Sequence, residues 1–324
     1  MRIGIAGGSI IGCYLGYKLA KQGHEVSIFE RSKQAKDVCS ALVSTRFWDF
    51  VPRKESLSRN TLNSIVTHFP KKDVVIELDP PLLACTRGEL NDYVEQLALQ
   101  AGCKIEKGRS VSGAVVHSED SASLIVDGSN LHFNRVIGCD GAASAVRRSL
   151  GIADPKFCMG LQATLSLAKE SVDGKKDFAQ VWPTKTGFAW AIPKGDHVEL
   201  GILGEVGKVK EEAKEWTSKW QIEEKDLKAS LIPSNIVSTL AKGPVALCGD
   251  AAGLTKPWSL GGIIWSMAAA DILIESFPSF DDYSRRAGRL FRRKAFFSRT
   301  GYRLARKLPF LVPKNVSIDT DWGF

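Results

Sequence analysis

Apolar and polar positions along the chain follow two rhythms. Residues 1–6 form a short, mostly apolar run, residues 11–22 repeat apolar positions at helical spacing, and residues 24–29 return to a strand pattern ending at Glu30. Residues 136–139 and 245–248 are further short apolar runs, each followed by Asp and small residues. Between residues 157 and 203 the pattern turns β-like, with runs at 162–167, 178–182, 187–192 and 197–202 separated by Gly, Pro, Lys and Asp. The last two, joined through Pro193-Lys194-Gly195-Asp196, read as a hairpin, and residues 74–78 add another strand. A helix is expected over 89–100, with Leu90, Val94, Leu97 and Ala98 on one face. Residues 284–308 carry Ala287, Leu290, Phe291, Phe297, Leu304, Ala305 and Leu308 at near-helical spacing, and Gly301 is expected to break this stretch into two helices.

The 324 residues are 44% hydrophobic and 25% charged, which excludes a disordered chain, a collagen-like repeat or a disulfide miniprotein. That length suits about two domains. The longest apolar stretch, residues 262–274, falls short of the roughly 20 residues of a membrane-spanning helix. Charge is distributed unevenly. Residues 283–318 hold eleven Lys or Arg and no Asp or Glu, so the net +8 of the chain leaves −3 for everything else. Seven scattered Cys, with no Cys-x-x-Cys spacing and five isolated His, give no support for zinc or iron–sulfur ligation and fit core-filling thiols in the cytoplasm.

The first forty residues carry specific chemistry. Gly7-Gly8-Ser9-Ile10-Ile11-Gly12 sits between a strand and a helix, and Glu30 ends the next strand eighteen residues beyond Gly12. This strand–turn–helix–strand unit binds an ADP moiety. Gly7 permits the tight turn, Gly12 lets the helix lie against the strand, and the helix N-terminus faces a pyrophosphate. Glu30 is placed to accept from ribose hydroxyls, which favours an unphosphorylated ribose. The middle glycine of the pattern is Ser9, small enough to admit phosphate. The N-terminus also has the charge and apolarity of a signal peptide, but cleavage there would destroy this unit.

Two later stretches extend the set. Gly138-Cys139-Asp140-Gly141 runs into a basic helix, and Cys248-Gly249-Asp250-Ala251-Ala252-Gly253 opens another. Each alone reads as a strand followed by a helix cap. Together with the N-terminal unit they resemble the DG and GD motifs of FAD-dependent enzymes with the p-hydroxybenzoate hydroxylase fold. That resemblance implies an α/β chain in which a Rossmann-like FAD-binding domain is interleaved with an antiparallel-sheet substrate domain. It implies cofactor contacts at Gly7, Gly8, Ser9, Ile11, Gly12, Glu30, Arg31, Asp140, Gly141, Gly249, Asp250, Gly253, Pro257, Gly261, Gly262 and Ile263. Arg87, at the start of the 89–100 helix, matches an Arg that contacts FAD in the family, or is a solvent-facing helix start. Residues 201–207 have glycines at the wrong spacing for a second dinucleotide unit and read as a strand end and turn, so no separate NAD(P)H domain is expected.

Phe188-Ala189-Trp190-Ala191-Ile192-Pro193-Lys194 resembles the Tyr-x-Trp-x-Phe-Pro-Lys motif of the geranylgeranyl reductase family, and also the Trp-x-Trp-x-Ile-Pro motif of flavin-dependent halogenases. Lys194 and residues 249–263 favour the reductases. Alternation places Phe188, Trp190 and Ile192 on one face, an apolar wall suited to a hydrocarbon or simply a packed core. Trp258 joins them as a candidate substrate contact. Cys39 falls where those reductases carry a cysteine facing the flavin, with Ala41 in place of a glycine; it reads as a proton donor or as an inert buried thiol.

The resemblance thus implies an FAD-dependent reductase saturating double bonds of geranylgeranyl lipids, with FAD as cofactor and no metal. The alternatives are an FAD-dependent aromatic monooxygenase or halogenase, and a non-catalytic flavoprotein. The electron donor is NAD(P)H or a reduced ferredoxin-like carrier. The expected boundaries are 1–43, 84–152 and 236–280 for the FAD-binding domain, 44–83 and 153–235 for the substrate domain, and 281–324 for basic amphipathic helices. Those helices either rest on an anionic membrane, at its inner face, or pack on the FAD domain. Nucleic acid is a poor match for an otherwise acidic chain.

Overall fold

The computed structural model describes residues 1–34, 38–166, 177–308 and 312–321. Leu167 and the stretch Pro309-Phe310-Leu311 lie outside them. The chain forms two compact units: Met1–Lys36, Gly88–Lys156 and Pro233–Arg299 in one, Asp37–Arg87, Phe157–Ile232 and Thr300–Phe324 in the other.

In the first unit, strands Val245–Leu247, Arg135–Gly138, Arg2–Ala6, Glu25–Glu30 and Lys104–Lys107 lie in that order as a parallel sheet, with the antiparallel edge strand Ala241–Lys242. Its inner strands Val245–Leu247, Arg135–Gly138 and Arg2–Ala6 are near-continuous apolar runs because both faces are covered there. Ile3, Ile5, Ile28, Val136, Ile137 and Leu247 are wholly or almost wholly buried. Helices Ile10–Lys21 and Ile263–Ser276 pack together, and the Tyr14 hydroxyl donates to Asp271 Oδ1 at 2.5 Å. Burial raises the Asp271 carboxyl above its usual range. A three-stranded meander, residues 111–133, was not foreseen from the sequence.

The second unit is a nine-stranded sheet in which Phe188–Lys194 is central, flanked by Phe178–Pro183 and His197–Glu205. Residues 60–84 form one long hairpin, Asn60–Phe69 with Lys72–Ala84, of which only residues 74–78 were expected as strand. Helix Val209–Trp220 covers one face: Val209 and Ala213 pack with Leu161, Ala189 and Ile202. The hairpin turn is only Gly195-Asp196, since Lys194 pairs directly with His197. Pro193 therefore lies within a strand, beyond the last pair that the neighbouring strand makes, Gln180 with Ala191, so its missing N–H costs no ladder bond on that side. Residues 201–207 are a strand end and turn as expected: Gly201 and Gly204 lie in the last part of strand His197–Glu205, and residues 206–208 turn.

The C-terminal expectation needs correction. Gly301 breaks nothing: Phe280–Lys307 is one helix of 28 residues. Gly301 is exposed, so the helix loses only the roughly 1 kcal/mol of glycine propensity there. Residues from 281 onward also form no unit of their own. Tyr283, Ala287 and Phe291 are fully buried in the first unit, and the Tyr283 hydroxyl donates to Leu247 O at 2.8 Å. Later, Asn315–Ile318 pairs as a strand with residues 75–78.

Candidate active site

Three motifs emerge side by side from the parallel sheet. Ala6 pairs with Gly138 and Gly138 with Leu247, so the turns after the three strands leave the carboxyl edge in register. The strand order reverses between Arg2–Ala6 and Arg135–Gly138, the switch point where open α/β sheets bind ligands. Gly7 has φ +96°, and a Cβ there would stand 2.3 Å from Cys139 O. A Cβ on Gly12 would stand 1.9 Å from Gly7 O, so the helix rests directly on the turn. Ser9 is the helix N-cap, but its side chain makes no capping hydrogen bond. The first N–H groups of that helix have no acceptor within it.

Glu30 is held by two backbone donors, Gly8 N–H to Oε2 at 2.9 Å and Ser32 N–H to Oε1 at 2.7 Å. A carboxylate offers about four acceptor sites, so two remain open to further donors. Arg31 beside it is exposed. Asp140 is occupied differently. Its carboxylate accepts from Ser144 Oγ at 2.5 Å and from the N–H groups of Ala145 and Val146 at 2.7 and 3.1 Å, holding the start of helix Ala145–Ser149. Gly141, at φ +83°, has open space where a Cβ would be.

At the third motif, Gly249–Ala252 is a 3₁₀ turn and not the opening of a long helix. Gly253 ends it at φ +69°, where a Cβ would stand 2.1 Å from Asn235 O. The long helix begins at Ile263, with Gly262 as N-cap, and a Cβ on Gly262 would stand 3.4 Å from the exposed Asp250 carboxylate. Gly249 in turn meets the Ile11 side chain. The loop between closes on itself through Lys256 N–H to Gly261 O at 3.1 Å and Leu260 N–H to Lys256 O at 2.8 Å, spanning Pro257 and Trp258. The Lys256 ammonium sits 5.6 Å above the Trp258 ring, and the Trp258 indole N–H is buried without a partner.

Arg147 was not singled out from sequence, where it reads as one of two basic residues on a short helix. It is fully buried, donates to Ala142 O at 2.8 Å and Ala251 O at 3.0 Å, and is paired with Asp154. It thereby ties the Asp140 loop to the Asp250 turn.

The second unit carries the other candidates. Trp190 and Ile192 are buried and Phe188 half-buried, on the sheet face opposite the one that presents Ala189 and Ala191 to the helix side. A Cβ on Gly201 would stand 2.1 Å from the Trp190 ring, so the indole lies across that glycine. Trp190 Nε1 donates to Glu199 Oε1 at 3.1 Å and Lys194 Nζ to Glu199 Oε2 at 2.7 Å. Glu199 is 2% exposed, a buried carboxylate serving two donors from one motif. Its signal in the sequence was a lone acid inside Val198-Glu199-Leu200. Cys39 is half-buried, its sulfur 3.4 Å from Ala41 N and 4.0 Å from Arg87 Nη1. Ala41 holds φ +46°, the left-handed backbone that glycine adopts without strain. Trp258 belongs to the first unit and its three companion candidates to the second.

Other thiols are shielded. Burial pushes the Cys103 thiol up to about 11 and the Cys248 thiol up to about 12, and raises Cys13 as well. At about pH 8 these remain protonated and weakly nucleophilic. Iodoacetamide on the native chain is expected to leave all three unlabelled and to label them after denaturation, as read by peptide mass spectrometry. Labelling of any of them at a free-thiol rate in the folded chain would contradict this.

A doubly covered parallel sheet with these three turns, joined to a large, mostly antiparallel sheet unit, is the fold of FAD-dependent flavoproteins. No family profile matches the chain. It is 23% identical to the geranylgeranyl diphosphate reductase of Synechocystis, over 88% of this chain and 77% of that one. A geranylgeranyl bacteriochlorophyll reductase-like protein of Thermoplasma acidophilum superposes with a TM-score of 0.79 at 16% identity, covering 97% of this chain and 88% of that chain. A myxobacterial chondrochloren halogenase, described as a variant of the FAD-dependent halogenases, gives 0.75 at 13% identity, covering 94% and 81%. The residues at the first unit's carboxyl edge fit FAD: an anchored carboxylate at Glu30, open space at Gly141 and the exposed Asp250 carboxylate near a helix start.

Proposed function

We propose that the chain is an FAD-dependent reductase that saturates carbon–carbon double bonds of a geranylgeranyl lipid. The observation that supports it best is a dinucleotide cradle built from three convergent turns, in a chain that also carries the aromatic strand Phe188–Lys194. When bound and reduced, FAD supplies the hydride. Gly8, Ser9 and the helix start at Ile11 and Gly12 hold the pyrophosphate, Glu30 the ribose, and Asp250 with residues 257–263 the flavin end, while Asp140 and Arg147 fix the loops that carry them. Arg87 adds a further contact. Phe188, Trp190, Ile192 and Trp258 exclude water from the hydrocarbon. Cys39 holds at its sulfur the proton that completes the addition of a hydrogen pair.

Electrons come from NAD(P)H or a reduced ferredoxin-like carrier. The enzyme works in the cytoplasm as a peripheral protein on an anionic membrane; no helix among the described residues is long and apolar enough to cross one.

The test is to incubate the FAD-loaded, chemically reduced protein without oxygen with geranylgeranyl diphosphate and geranylgeranyl ether lipids. Products heavier by whole hydrogen pairs are expected by mass spectrometry. No mass gain with any prenyl substrate overturns the reading. The Trp-x-Trp-x-Ile-Pro likeness of residues 188–193 supports a second reading, a halogenase or aromatic monooxygenase. It would appear as substrate-dependent oxygen consumption with a halogenated or hydroxylated product.

A further inference from the structure

We propose that the last turns of helix Phe280–Lys307 insert into the headgroup layer of an anionic bilayer, with Phe296 and Phe297 as the wedge. The proposal rests on the reading of a lipid substrate for its purpose, and on the helix surface for its geometry.

The helix has two apolar faces. Tyr283, Ala287 and Phe291, four residues apart, are fully buried in the first unit. Phe296, Phe297, Leu304 and Leu308 are instead 67%, 52%, 55% and 37% exposed. At 3.6 residues per turn, this second stripe is centred about 100° round the helix from the first. The apolar positions that the sequence presents as one face are therefore split, the early ones spent on packing and the late ones facing water.

These side chains are concentrated. Ten large hydrophobic residues are exposed among the described residues, and four of them lie within residues 296–308. Scattered single exposures need no explanation, whereas a grouped, basic-rimmed set marks an interaction surface.

The rim selects the partner. Arg289 and Arg293 fall on the same stripe, Arg303 lies beside it, and all three are exposed. The Arg293 guanidinium lies over the Phe297 ring, 6.0 Å from its centre, so cation and aromatic share one patch of the stripe. Residues 283–318 contain no acidic side chain. A stripe with aromatics at its centre and arginines at its edge, in a segment that contributes no carboxylate to orient a protein partner, complements a plane of anionic headgroups. There each basic residue adds attraction that salt screens. Two other arginines of the helix are otherwise engaged: Arg292 donates to Val237 O and Ser238 O, and Arg299 to Ser234 O. They fasten the helix to the first unit, which leaves the outer stripe for the bilayer.

The experiment is flotation of the full FAD-loaded chain with vesicles of phosphatidylcholine, alone or mixed with phosphatidylglycerol, without prenyl substrate. Binding is expected to the mixed vesicles, weakened by added salt. A Phe296→Ser/Phe297→Ser variant with unchanged FAD content and melting temperature is expected to bind about tenfold or more weakly, since two aromatic side chains no longer leave water for the bilayer. Unchanged binding by the variant, or equal binding to both vesicle types, overturns the proposal. So does a wild-type dimer in gel filtration that the variant turns into monomer, which would assign the stripe to a second copy. Failure here leaves the mass-gain assay untouched, and failure of that assay leaves vesicle binding untouched.

Discussion

Arg147→Met is expected to destabilise the first unit by about 3–5 kcal/mol, lowering its melting temperature by roughly 6–20 °C. The side chain is fully buried and is fixed by Asp154 and by the carbonyls of Ala142 and Ala251. Methionine fills much of the volume but returns none of the donors, leaving two carbonyl oxygens without that partner at the point where two cofactor loops meet. FAD affinity should fall along with stability, because those loops carry Gly141 and Asp250. Arg147→Lys keeps the charge but cannot reach three acceptors in a planar fork, and should recover only part of the loss. Differential scanning calorimetry with and without FAD measures both effects. A melting temperature within a degree or two of wild type in the methionine variant would mean that the guanidinium does not hold the loops.

The second large effect is expected in the other unit. Glu199→Leu leaves the Lys194 ammonium buried without its carboxylate and the Trp190 indole N–H without its acceptor, a change of about 3–5 kcal/mol. Pairing it with Lys194→Met removes the stranded charge. A buried ion pair replaced on both sides by apolar groups is often neutral in stability, so the double variant should lose only the ~1–3 kcal/mol of the orphaned indole N–H. Urea titrations of the two single variants and the double variant close this cycle. Additive losses would show that the three groups do not act together. FAD content should stay unchanged throughout, since none of Trp190, Lys194 and Glu199 is among the residues assigned to the cofactor.

Legibility in the sequence followed how local each feature is. The N-terminal turn was readable because Gly7, Gly12 and Glu30 act through backbone conformation and spacing along thirty consecutive residues. Four of the five parallel strands were readable as short apolar runs, whereas Lys104–Lys107, polar at three of its four positions, was not. Glu199 was not, because its role depends on the register that sets it opposite Ile192 on another strand. Arg147 was not, because a basic residue on a five-residue helix looks solvated until the carbonyls around it are in place. Asp140 was found, but its occupation by a helix start could not be separated in advance from a ligand contact. At the C-terminus, apolar spacing foretold helix but not which apolar side chains would be covered, and Gly301 weighed less than its neighbours' helix-forming tendency.

The outer edge of strand Lys72–Ala84 is covered by two short strands, Leu42–Ser44 over residues 82–84 and Asn315–Ile318 over residues 75–78. The second covering is fastened by Lys72 to Val312 O, by Arg46 to Asp319 at 2.8 Å and by Ser44 to Asp321. On the ribosome, residues 42–44 arrive before the edge they cover, whereas residues 315–318 arrive some 240 residues after it. Until they emerge, the upper half of that edge has N–H and C=O groups open to any passing strand, the exposure that promotes intermolecular pairing. The most vulnerable interval of biosynthesis therefore comes late, after the dinucleotide-binding segments have been made, and a nascent chain halted before residue 315 should be more aggregation-prone than its length suggests.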